Sequence, residues 1–139
     1  MQIAFYKANR GNLLDKLIGV FTFGKYSHCE LILDDGLWAT SSPRDGGVVM
    51  RYLEPSDKWD IFDLYVPYDV NTDLVKKWFD ANDGDAYDYL GAFGSAFGLD
   101  LVSTQKKYCS QTCAIILGID STISPSSLYR KLKKIGYIR

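Results

Sequence analysis

The run Tyr26-Ser27-His28-Cys29-Glu30-Leu31-Ile32-Leu33 ends on Asp34-Asp35-Gly36 and resumes as Leu37-Trp38-Ala39-Thr40-Ser41, and no other pattern in the chain restricts its fold as much. Asp-Gly between two strand-like runs signals a hairpin, because Asp stabilises a tight turn and Gly accepts the left-handed backbone that the turn requires. Two neighbouring antiparallel strands are expected. Side chains alternate along a strand, so His28, Glu30 and Ile32 share one face while Cys29, Leu31 and Leu33 share the other. Both faces carry apolar groups, and both are therefore expected to be at least partly covered.

Other strands flank this pair. Ile3 to Tyr6 reads as a short strand, Val48 to Leu53 follows the turn composition of Ser42-Pro43-Arg44-Asp45-Gly46-Gly47, and Trp59 to Val66 alternates until Pro67 stops it. Between the first two strands, Asn12 can cap a helix whose apolar face is Leu13, Leu14, Leu17, Ile18 and Phe21.

From Asn71 onward the pattern turns helical. Asn71 or Thr72 caps Leu74, Val75, Trp78 and Phe79, and Asp83-Gly84 ends that segment. The stretch Asp85 to Gly98 has glycines at 91, 94 and 98, which give a helix a small-residue side. It lacks the lysine and preceding strand of a phosphate-binding loop. Pro125 opens a last amphipathic helix with Leu128, Leu132 and Ile135 inward, and Tyr137-Ile138 reads as an edge strand. Strands in one block and helices in another predict an α+β domain: a small antiparallel sheet or half-barrel packed against helices.

A chain of 139 residues fits a single domain over 1–139, large enough for a hydrophobic core without staples. Sixteen basic against 17 acidic residues give no general attraction for nucleic acid or an anionic membrane. Three cysteines without repeated C-x-x-C spacing suit neither a disulfide scaffold nor structural zinc, so reduced thiols in a cytoplasmic compartment are expected. No signal peptide and no membrane-spanning stretch is read from the sequence.

The remaining chemistry lies in Tyr108-Cys109-Ser110-Gln111-Thr112-Cys113-Ala114-Ile115-Ile116-Leu117-Gly118. Cys113 to Leu117 reads as a buried helix closed by Gly118, which puts Cys109 in its first turn. Unpaired N–H groups and the peptide dipoles favour an anion there, so the thiol should ionise readily, with Lys106 and Lys107 adding positive charge. A thiol nucleophile also needs a base, and the chain has one histidine, His28. Cys29 and Cys113 are poorer nucleophiles, one pointing away from His28 and the other a turn deeper in the helix.

Tyr26-Ser27-His28-Cys29-Glu30-Leu31, then Tyr87-Asp88-Tyr89-Leu90-Gly91, then Tyr108-Cys109-Ser110 resemble the circularly permuted NlpC/P60-type papain-like hydrolases, the YiiX/YaeF-like amidases. The resemblance implies a permuted papain-like fold with Cys109 as nucleophile, His28 as base and a polar residue orienting the ring. Glu30, Thr40 and Ser41 are the candidates for that last role, and Glu30 is preferred because a carboxylate also stabilises an imidazolium. It further implies an oxyanion met by the Cys109 N–H, groove walls formed by Tyr26 and Tyr108, and cleavage of a peptide-like or isopeptide substrate, such as cell-wall peptide, without metal or organic cofactor. Lipid acyl transfer is a variant within the same group, and a non-catalytic binding module of phage-accessory type is the reading from outside the enzyme class.

Overall fold

The computed structural model describes residues 1–10, 24–43, 45–67, 69–87, 106–119 and 123–139, with backbone alone at 86, 87, 106 and 107. The domain is α+β. Five antiparallel strands, β1 (Gln2–Lys7), β2 (Tyr26–Ile32), β3 (Leu37–Ser42), β4 (Gly47–Tyr52) and β5 (Trp59–Asp63), are extended by the short β6 (Ala86–Tyr87) and β7 (Lys106–Lys107) in the order β5-β1-β2-β3-β4-β6-β7. Only the β6–β7 pair is parallel among the described strands.

The hairpin forms where the sequence announces it. Leu33 N–H donates to Leu37 O at 2.8 Å, Gly36 N–H donates to Leu33 O at 3.0 Å, and Gly36 takes φ +85°, a conformation other residues rarely adopt. Three helices follow: α1 (Thr72–Ala81), α2 (Cys109–Ile116) and α3 (Pro125–Ile135). Asn71 Oδ1 accepts from Leu74 N–H to start α1, and Ser124 Oγ accepts from Ser127 N–H to start α3, in each case satisfying a donor that the helix leaves over. No helix among the described residues is long and apolar enough to cross a membrane.

One face of the sheet carries Ile3, Phe5, Cys29, Leu31 and Ala39 against Phe79 of α1, Cys113 and Ala114 of α2, and Leu128 and Leu132 of α3. Burying these apolar surfaces supplies the main drive to fold. The opposite face carries a smaller cluster of Ala4, Ile32 and Trp38, onto which Leu53 and Trp59 pack. His28 and Glu30 belong to that second face, since Tyr6 pairs with His28 and Ala4 with Glu30.

Four expectations need correction. β5 stops at Asp63 instead of Val66: Leu64 N–H still bonds Met1 O, one step beyond the Gln2–Asp63 pair, but Tyr65 N–H turns to Tyr137 O. Tyr137 and Ile138 form no strand. Gly136, at φ +80°, turns the chain at the end of α3 so that Ile138 enters the core, while Ile135 stays 45% exposed. Ala86–Tyr87 is a strand, where a glycine-rich helix was expected from Asp85. The remainder of that stretch, and the helix expected over Leu13 to Phe21, lie outside the described residues.

Candidate active site

The site exists because β2 and β3 part. Among the described residues their ladder is in register only at Leu31 with Ala39 and Ile32 with Trp38. Below that point the backbone groups of β2 need other partners, since buried peptide groups are seldom left unpaired. Ser126 of α3 supplies one set, its hydroxyl accepting from Tyr26 N–H at 2.9 Å and donating to Tyr26 O at 3.1 Å. Thr40 supplies another, donating from Oγ1 to Cys29 O at 3.1 Å. The start of α2 occupies the gap, with a hydrogen bond between the Cys29 backbone and the Cys109 sulfur.

Cys109 is the first residue of α2, after Tyr108 as N-cap, and Gln111 folds back so that its Oε1 accepts from Tyr108 N–H at 3.4 Å. Cys109 is 3% exposed, and its sulfur interacts with His28 through both a hydrogen bond and charge. His28 Nε2 lies 3.0 Å from Glu30 Oε1 and 3.5 Å from Thr40 Oγ1. Its side chain keeps 17% exposure, so whatever solvent contact the pair has is chiefly through the ring. Ser41 is buried on β3.

Glu30 is 1% exposed, and a carboxylate at that depth requires compensation. Arg51 of β4 provides it by a two-pronged contact, Nη1 to Oε2 at 2.8 Å and Nη2 to Oε1 at 3.0 Å. Asp45, in the turn before β4, takes the outer side of the same guanidinium at 3.2 Å. Cys109, His28, Glu30, Arg51 and Asp45 thus form a line of alternating charge.

Each protonation state follows from that line. A hydrogen bond from Cys29 is the strongest influence holding the Cys109 thiol well below its ordinary range; burial opposes it, and the His28 charge adds to it. Burial alone would lower the His28 pKa, but the Cys109 sulfur and then Glu30 outweigh it and raise it from 6.5 to about 10. For Glu30, burial pushes upward, and hydrogen bonds from His28 and Arg51 overcome it to bring the carboxyl from 4.5 to about 2. Burial drives the Cys29 thiol well up, so it remains a donor. The two shifts run in opposite directions, the thiol down and the imidazole up, and both favour the thiolate–imidazolium form of the pair.

The structure brings Cys109, His28, Glu30 and Thr40 together. It does not make groove walls of Tyr26 and Tyr108, which are buried: Tyr26 turns its hydroxyl to Asp60 Oδ2 at 2.7 Å, and Tyr108 is spent on capping α2. Cys29 faces the helices, away from the His28 face, yet its thiol and backbone serve the Cys109 sulfur. Cys113 lies 3.8 Å from Cys29, sulfur to sulfur, in the core. The side chains of Lys106 and Lys107 lie outside the described residues. Arg51 and Asp45 escaped the sequence reading; a buried Glu30 demands a cation, and the signal for which one is the turn at Gly46-Gly47, whose register sets Arg51 opposite Trp38. Among the described residues no group of three or more His, Cys, Asp or Glu side chains is placed to hold a metal ion. Comparison of this chain with protein-family models, curated proteins and solved structures found no match.

Proposed function

We propose that this protein is a cysteine hydrolase of permuted NlpC/P60 papain-like type, cleaving an amide bond in a peptide-like substrate through a thioester. The observation that carries the reading is the placement of the Cys109 thiol at a helix start beside His28, whose Nε2 lies 3.0 Å from Glu30 Oε1, a setting that favours ionisation of the sulfur. With Nε2 engaged, Nδ1 is the ring nitrogen left for the sulfur. The thiolate attacks the carbonyl carbon, and the electron pair of the C=O bond moves to oxygen, where the Cys109 N–H meets it. Collapse of that intermediate breaks the C–N bond, and the His28 imidazolium gives its proton to the leaving amine. Neutral His28 then takes a proton from water, which attacks the thioester and releases the acid and the thiolate.

The test uses p-nitrophenyl acetate. The expected result is release of p-nitrophenol with an acetyl group mapped to Cys109, absent from Cys29 and Cys113, and lost in Cys109→Ser. A second reading, a binding module of the same fold without turnover, is favoured by the 3% exposure of Cys109. Slow, equal acetylation of all three thiols supports that reading and sinks the hydrolase.

A further inference from the structure

A carboxylate buried beside a single imidazole is a poor anchor. Its cheapest response to burial is to take up a proton, after which it no longer favours the charged ring. Glu30 avoids this because a second element reaches it. Ile32 pairs with Trp38 and Trp38 with Arg51, so Arg51 projects from β4 on the same face as His28 and Glu30. The guanidinium engages both carboxylate oxygens, a geometry that a planar fork can make and an ammonium cannot. Asp45 closes the outer side and leaves Arg51 with 27% side-chain exposure.

We infer that Arg51 is a positioning residue for the Cys109–His28 pair: its fork keeps Glu30 ionised and aimed at His28, and Asp45 steadies the guanidinium from the far side. This rests on the reading of Cys109 and His28 as a working pair. The titratable and charged groups that face Glu30 and Arg51 among the described residues are His28 from β2, Cys109 from α2 beyond the ring, and Asp45 from the turn before β4. Arg51 touches neither the sulfur nor the ring in this line and acts only through Glu30.

The experiment titrates the thiolate ultraviolet absorbance of Arg51→Met, Arg51→Gln and Arg51→Lys, each against its own Cys109→Ser counterpart, with circular dichroism confirming the fold. Loss of the cation lets Glu30 take up a proton at higher pH, so the acid limb of the Cys109 thiolate moves upward. The expected shift is about one pH unit in Arg51→Met and Arg51→Gln, a tenfold fall in thiolate on that limb, and a smaller one in Arg51→Lys, which retains charge without the fork. Lys7→Met, which removes the Lys7–Asp60 pair elsewhere on the sheet, leaves the limb in place. If Arg51→Met fails to fold, the Gln and Lys variants carry the test. Arg51 variants whose limbs coincide with the parent's overturn the inference and leave the hydrolase reading standing. A parent Cys109 that titrates as an ordinary thiol overturns both.

Discussion

His28→Ala is expected to raise the pKa of Cys109, shrinking its thiolate fraction at neutral pH, and to cut the rate of acetylation by p-nitrophenyl acetate by about a hundredfold to ten-thousandfold, the usual worth of a positioned acid–base group. The sign follows from the charges. Removing the imidazolium takes away an attraction that lowers the sulfur's pKa, while burial, which raises it, remains. The Cys29 hydrogen bond survives the substitution, so the thiol should still ionise somewhat more easily than a free cysteine. The measurement is a pH titration of thiolate absorbance in His28→Ala beside Cys109→Ser. An unchanged thiolate population in His28→Ala would mean that the helix start and Cys29 suffice to ionise the sulfur, and an unchanged acetylation rate would remove His28 from the chemistry.

Glu30→Leu is the substitution expected to cost most stability. It strands the Arg51 guanidinium and the His28 imidazolium without their shared counter-charge. Losing one partner of a fully buried pair costs about 3–5 kcal/mol. Arg51 is 27% exposed and keeps Asp45, so solvent and that second carboxylate reduce the figure to about 2–3 kcal/mol. The effect depends on pH in a definite direction. The Glu30 carboxyl has a folded pKa of about 2 against 4.5, so its contribution is fully present above 4.5 and is lost as pH falls towards 2. Urea midpoints of parent and variant should therefore differ widely at neutral pH and converge in acid. A gap that persists undiminished in acid would assign the loss to packing and not to charge.

Local chemistry was legible in the sequence where a residue's role depends on its immediate neighbours. Asp34-Asp35-Gly36 marked its turn, Asn71 its cap, and Tyr108-Cys109 the start of α2, because turn geometry and unpaired helix donors act over a few residues. Alternation alone puts His28 and Glu30 on one face, where the strand pairing also has them. Register and distant pairing were another matter. Arg51 meets Glu30 through two successive strand pairings, Ile138 displaces Ile135 through a turn at Gly136, and Tyr26 points inward because the ladder shifts between Tyr6 and Lys7. Each outcome depends on where strands from separate parts of the chain settle against one another, which alternation in one strand does not state.

The parting of β2 from β3 also orders assembly in time. Hairpins β2–β3 and β3–β4 close over short spans, whereas Tyr26 waits for Ser126, a separation of 100 positions, and closing so large a loop carries a higher entropic cost. The Tyr26 amide should accordingly gain protection from hydrogen exchange together with the amides of α3, later than those of the hairpins; early protection at Tyr26 would contradict this. A growing chain would thus present His28 well before α3 exists to fix the start of β2.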